Sequence, residues 1–86
     1  MIERKVIIKN PTGLHARPAS LLVKEANKFK SEIMINKGGK DVNAKSILSV
    51  LSLGVSNGDE IIIKANGEDE KEAMDAIINL IETFVE

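Results

Sequence analysis

The chain has 86 residues, 43% of them hydrophobic and 29% charged, which is material for one small domain and one modest core. It contains no cysteine, tryptophan or tyrosine and a single histidine. Disulfides, thiol nucleophiles, thiolate zinc sites and multi-histidine metal sites within one chain are thereby excluded, and with two phenylalanines as the sole aromatics the composition argues against stacking platforms for single-stranded nucleic acid. No apolar run nears the ~20 residues that span a bilayer. The start Met1-Ile2-Glu3-Arg4-Lys5 lacks the long apolar region of a signal peptide. The expectation is a cytoplasmic protein with no cofactor and no membrane insertion. A net charge of −1 hides an asymmetry: residues 1–58 hold ten Lys/Arg and four Asp/Glu, residues 59–86 two Lys and nine Asp/Glu. A basic front half suits an anionic ligand or an acidic protein partner, and equally a plain solvated surface.

In chain order, Val6-Ile7-Ile8 reads as a short first strand, ended by the turn signal Asn10-Pro11-Thr12-Gly13. A helix opens near Ala16, with Pro18 in its first turn, where no N–H partner is missed, and Leu22, Ala26 and Phe29 on one face with Leu21 beside them. Glu32 to Asn36 alternates, Ile33 and Ile35 pointing one way and Met34 the other. Gly38-Gly39 signals a hairpin into a return strand, Lys40 to Asn43. Ser46 is a candidate N-cap for a short helix reaching Leu53 and ended by Gly54. Asn57-Gly58 turns the chain into Glu60 to Ala65, with Ile61, Ile63 and Ala65 on one face. Asp69 and Glu72 resemble a capping box before the stripe Ala73, Ala76, Ile77, Leu80, Ile81, Phe84. The order β-α-β-β-α-β-α predicts an α+β domain over residues 1–86, an antiparallel sheet covered by helices on one face.

The chemistry concentrates in Gly13-Leu14-His15-Ala16-Arg17-Pro18-Ala19, which places the only histidine at a helix start with an arginine two residues on. The first N–H groups of a helix lack internal acceptors and its end is partly positive, so phosphate binds there readily. The backbone of Ala16 and Arg17 and the Arg17 guanidinium are the candidate phosphate ligands. The same positive end disfavours an imidazolium and favours the neutral, nucleophilic ring. By spacing and residue type alone, a solvent-facing capping histidine is the commoner explanation of such a residue.

Thr12-Gly13-Leu14-His15-Ala16-Arg17-Pro18-Ala19-Ser20, followed by Lys45-Ser46-Ile47-Leu48-Ser49-Val50-Leu51-Ser52-Leu53-Gly54, resembles the HPr family, the histidine-containing phosphocarriers of the phosphoenolpyruvate-dependent sugar phosphotransferase system. The resemblance spans the chain, including Asn66-Gly67-Glu68-Asp69 before the last helix. It implies an open-faced β-sandwich, a four-stranded antiparallel sheet with three helices on one side. It implies that His15 is phosphorylated on Nδ1 by enzyme I, that Arg17 is the matching arginine, and that sugar-specific A components are the acceptors. Such a carrier is not an enzyme, and presenting one site to successive partners implies a monomer.

Ser46, by itself a helix N-cap, matches the regulatory phosphorylation site of HPr proteins of Gram-positive type, which adds an HPr kinase/phosphorylase and a catabolite-control transcription factor as partners. A phosphate there is electrostatically welcome to the helix and adds about −1.5 to −2 charges to the surface. Leu53, Val50, Ile47, Leu51 and Leu48 sweep an arc of about 220° around the short helix, whereas covering a core takes only about 100°. Ile47, Leu48 and Leu51 are therefore expected to form a docking patch, joined by Ser20 and Lys24 of the first helix. Arg17, Lys24 and Lys28 lie on a shared side of that helix. In the docking reading they form a basic rim that steers acidic partners, and for Lys28 a plain solvated face is preferred. The chain departs from the family pattern at Leu48 and Leu51, where methionine is common, and at Ser49, where glycine is. Relatives that lack the histidine and act through the serine alone define the competing reading; an acylphosphatase-like enzyme or a ferredoxin-like ligand-binding module ranks lower, since neither uses a nucleophilic histidine.

Overall fold

The element order is the one read from the sequence. The computed structural model describes residues 1–85. It contains β1 (Ile2–Ile7), α1 (Ala16–Ala26), β2 (Glu32–Lys37), β3 (Lys40–Asn43), α2 (Ile47–Ser52), β4 (Glu60–Asn66) and α3 (Glu70–Glu82). The strands form one antiparallel sheet in the order β1-β4-β2-β3. β4 is central because its alternation is the cleanest: Ile61, Ile63 and Ala65 are fully or almost fully buried. Ile63 stands opposite Ile35 of β2 and Arg4 of β1, and Ala65 opposite Ile33 and Ile2. A slip of one residue in β4 would turn Ile61, Ile63 and Ala65 to the solvent side, so the register is fixed by burial.

Ile33, Ile35, Val42, Ile61 and Ile63 meet Leu22 of α1, Val50 of α2 and Ala73, Met74, Ile77 and Ile81 of α3 in one buried cluster. Each large aliphatic side chain so buried contributes about 1.5–3 kcal/mol. The opposite sheet face carries Glu32, Asn36, Asp41 and Lys64, tied by Lys64 Nζ and Asn36 Nδ2 donating to the Asp41 carboxylate at 3.2 and 2.8 Å. Helices on one side and a polar face on the other follow from this alternation.

Four details depart from the sequence reading. β1 begins earlier than expected and ends at Ile7, which is 52% exposed, while Ile8, just beyond the strand, enters the core. α1 ends at Ala26, so Phe29 packs against the core from the following turn, outside the helix. Leu21 is exposed, and Met74 replaces Leu80 among the most buried residues of α3. Finally, Asp69 does not close a capping box, since its side chain makes no bond to its own helix. Its carboxylate turns to the α1–β2 connection and accepts from the backbone N–H of Lys30 and of Ser31, each at 2.9 Å, and from the Ser31 hydroxyl. Glu70 takes over part of the capping, accepting from Gly67 N at 3.1 Å. The approach is close enough that a Cβ at Gly67 would lie 2.7 Å from Ser31 Cα.

The Ser31 hydroxyl and the backbone donors lower the Asp69 carboxyl from 3.8 to about 2. A carboxyl lowered in the folded state stabilises fully above its unfolded value and loses that contribution as pH falls through the folded one. Asp69→Asn is therefore expected to lower unfolding stability at pH 7, and to flatten the acid limb between about pH 4 and pH 2. Urea titrations across that window test it. Asp41, Asp59 and Glu70, also lowered, titrate in both proteins. Curves for the two proteins that stay parallel down to pH 2 would reject the assignment.

Candidate functional site

The site is built where the chain leaves β1 and enters α1. Residues 10–13 close a turn in both directions, Gly13 N donating to Asn10 O at 3.1 Å and Asn10 Nδ2 to Gly13 O at 2.7 Å. The turn rests on the loop between α2 and β4. Leu14 N donates to Val55 O at 3.0 Å, and Asn57 Nδ2 reaches Lys9 O at 2.8 Å and Asn10 O at 3.3 Å. Leu14 and Val55 are both buried. Gly13 has φ +63°, and a Cβ there would fall 2.3 Å from Val55 O, so only glycine fits between the loops.

On this footing His15 is the N-cap of α1. Its backbone is extended, its carbonyl accepts from Ala19 N at 2.9 Å, and its side chain makes no capping bond. The ring is thus not engaged in holding the helix, and the residue is exposed. Ala16 and Arg17 follow, exposed, in a first turn whose N–H groups point out of the helix end, and that turn holds no acidic residue to compete with an anion. Pro18, buried at the third position, supplies no N–H and is no loss there.

α1 and α2 lie side by side and antiparallel, because both ends are tied. Leu14, before α1, bonds Val55, after α2. Asn27, after α1, donates through Nδ2 to Lys45 O, before α2, at 3.2 Å, and Lys45 Nζ returns to Phe29 O at 2.7 Å. Ser46 is the N-cap of α2, half-buried, with Oγ accepting from Ser49 N at 3.3 Å. Around α2 the apolar arc divides in order of angle. Val50 is fully buried, Leu53 and Ile47 are half-buried against the core, Leu51 is 39% exposed and Leu48 is 78% exposed. Ile47 therefore belongs largely to the core side, whereas Leu48 and Leu51 face solvent.

On α1 the outward stripe holds Arg17, Ser20, Leu21 and Lys24, all exposed. Lys28 lies beyond the helix and pairs with Glu25 at 3.1 Å. Sequence reasoning placed Leu21 beside the buried face and missed the contribution of Val55 and Asn57, which no local pattern signals. A groove of about 710 Å³ runs between β1 and α3, walled by Val6, Met74, Ile78 and Phe84; His15, Arg17 and Ser46 do not border it. The site is a surface, suited to a protein partner more than to a small enclosed ligand.

A family model described as the PTS HPr component phosphorylation site matches residues 2–83. The chain belongs to the HPr family. It is 54% identical to an HPr-like protein Crh of Halalkalibacterium halodurans over 82 residues, covering 95% of this chain and 98% of the relative. It is 49% identical to a phosphocarrier protein HPr of Mycoplasma pneumoniae, covering 91% and 90%. Among solved structures, an HPr from Thermoanaerobacter tengcongensis superposes with a TM-score of 0.94 at 53% identity, covering 96% and 93% of the two chains. The four-stranded open sheet with three helices is therefore the HPr fold. A Crh crystal structure from Bacillus subtilis, a swapped dimer, gives 0.78 at 46% identity, covering 100% and 99%. No helix among the described residues is long and apolar enough to cross a membrane.

The division of the α2 arc predicts a contrast between neighbours on one HPr helix. Leu48→Asp should leave the melting temperature nearly unchanged, the loss staying within about 0.5 kcal/mol. Val50→Asp, placing a charge in the core, should prevent stable folding. Thermal unfolding followed by circular dichroism checks both, and a Leu48→Asp loss above about 2 kcal/mol would assign that residue to the core.

Proposed function

We propose that the chain carries a phosphoryl group on His15, receiving it from phosphorylated enzyme I and passing it to sugar-specific A components. The observation that carries this reading is an exposed histidine, unused in capping, at an acid-free helix N-terminus beside Arg17. A ring nitrogen, Nδ1 by the family resemblance, attacks phosphorus as the bond to the donor breaks. The equatorial oxygens of the transferring group then meet the N–H groups of Ala16 and Arg17 and the Arg17 guanidinium. Transfer onward reverses the step with a new acceptor. Exposure serves both halves, because each partner must reach the nitrogen in line. The chain is itself the phosphorylated intermediate, not a catalyst, and its proposed working form is the cytoplasmic monomer that offers one face to successive partners.

Leu48 and Leu51, with Ser20, Leu21 and Lys24 on the outward stripe of α1, are proposed as the docking surface, Ile47 supporting it from beneath. Ser46 is proposed as a regulatory phosphorylation site, modified by an ATP-dependent HPr kinase/phosphorylase and read by a catabolite-control transcription factor. Phosphate at the N-cap of α2 keeps the helix and changes the charge of the docking surface. A second reading, a purely regulatory protein acting through Ser46, draws support from the two relatives named Crh, at 54% and 48% identity. The presence of His15 favours the carrier.

Incubation with labelled phosphoenolpyruvate and catalytic enzyme I should place acid-labile, base-stable label on the wild type and none on His15→Ala. An unlabelled wild type would remove the carrier role and promote the regulatory reading. With an HPr kinase and labelled ATP, the wild type should gain acid-stable label and Ser46→Ala none; equal labelling of the two would displace the site from Ser46. Leu48→Asp, folded as argued above, should raise the KM of enzyme I for this chain, and an unchanged KM would remove Leu48 from the docking surface.

A further inference from the structure

The loop that seats His15 is itself held by a contact from the far end of β2. Lys37, the last residue of that strand, directs Nζ to Gly54 O at 2.8 Å and to Asp59 Oδ2 at 2.9 Å. These two acceptors bracket residues 54–59, the loop on which the His15 turn rests. The same Asp59 oxygen accepts from Ser56 N at 2.7 Å, and Asp59 N returns to Ser56 O at 3.0 Å, so the bracket is closed on the inside as well. Asp59 O accepts from Ile8 N at 2.9 Å, and Val55 O accepts from Leu14 N at 3.0 Å. Both exits of the loop therefore lead straight to the chain on either side of the His15 turn.

We infer that Lys37 and Asp59 are positioning residues for His15: the ammonium staples the two ends of loop 54–59, fixing the Val55 carbonyl and, through Leu14, the entry of α1. This inference rests on the carrier reading above. Its physical content is geometric. A partly exposed ion pair adds little to stability, and both partners are about one-third exposed. Loop 54–59, however, has no regular secondary structure of its own. Without the staple Gly54 O turns to water, and what anchors the loop is the Ser56–Asp59 turn, the Gly54 N–Leu51 O bond, the buried Val55 and the bonds to residues 8–14. In-line transfer is sensitive to such shifts, since a misplacement of ~1 Å of a group remote from the chemistry can cost ~10²-fold in rate. Lys37 lies outside α1 and α2, the helices that form the proposed docking surface, so its loss should affect turnover and spare binding.

The test measures His15 phosphorylation by enzyme I as a function of carrier concentration, beside amide hydrogen exchange. Lys37→Met should lower kcat about tenfold with KM held within about twofold, and Asp59→Asn should reproduce the direction. Lys37→Arg, whose guanidinium can reach both oxygens, should recover most of the loss. The Leu14 amide should exchange faster in Lys37→Met while the buried Ile63 amide keeps its wild-type rate, the mark of local opening. Unchanged turnover and unchanged Leu14 exchange would overturn the inference. A raised KM with unchanged kcat would overturn it too, making Lys37 a partner contact. Exchange accelerated equally at Leu14 and Ile63 would reduce the pair to general stability. A wild type that takes no label on His15 would end the carrier reading and this inference with it, whereas labelled wild type with an indifferent Lys37→Met ends the inference alone.

Discussion

The hydrogen bond from Leu14 N to Val55 O is the constraint on which the functional end of the molecule depends. Leu14 immediately precedes the N-cap of α1, so the bond fixes where the helix begins and which way its N-terminus points. Its geometry demands a close approach of two irregular loops, and that approach is possible only because residue 13 has no side chain. Burial of Leu14 and Val55 beside the bond removes competing water, which makes a single backbone contact more decisive than it would be in the open. The chemistry proposed for His15 depends on it. A histidine on a free turn would have no fixed relation to the helix end, and the field and donors of that end act only within the first turn.

The same economy governs α2. A six-residue helix is too short to be stable alone and forms because Val50, with Ile47 and Leu53 in support, packs against the core. The apolar residues continue past what the core can take, to Leu51 and Leu48. An 86-residue chain has little surface to set aside, and here one helix both closes the core and offers an apolar face. The price is an exposed leucine pair, carried on a rigid element between polar neighbours.

How much of this was legible in the sequence depended on the distance over which the information acts. The alternation of Ile61, Ile63 and Ala65 and the stripe of α3 are local patterns, and they placed the central strand and the last helix correctly. His15 and Arg17 at the start of a helix could also be read locally, because a turn signal, a proline and a helical period adjoin them. Asp69 misled because its local context is that of a cap, while its partners, Lys30 and Ser31, lie 39 and 38 residues away. The tie of Asn57 to Lys9 spans 48 residues, and nothing in Asn57-Gly58 beyond a turn announces it. Leu21 escaped for a different reason. Its helical phase sits near the edge of the buried face, and the tilt of α1 against its neighbours decides such positions.

The antiparallel lie of α1 and α2 also bears on how the two proposed phosphorylation sites could share one surface. The Val55 end of α2 adjoins the His15 end of α1, and Ser46 adjoins the opposite end, near Asn27 and Lys45. The 11 residues of α1 span about 16 Å. That is roughly twice the screening length of about 8 Å at physiological ionic strength. In the proposed scheme a phosphate on Ser46 is therefore too distant to oppose a second phosphate on His15 by direct repulsion. Its influence has to pass through whatever protein covers both ends at once, and Leu48 and Leu51, on the same helix as the serine cap, lie within that footprint. On the proposed reading, regulation by this route would weaken docking and leave the histidine chemically competent, so a partner that avoids α2 would be insensitive to the serine.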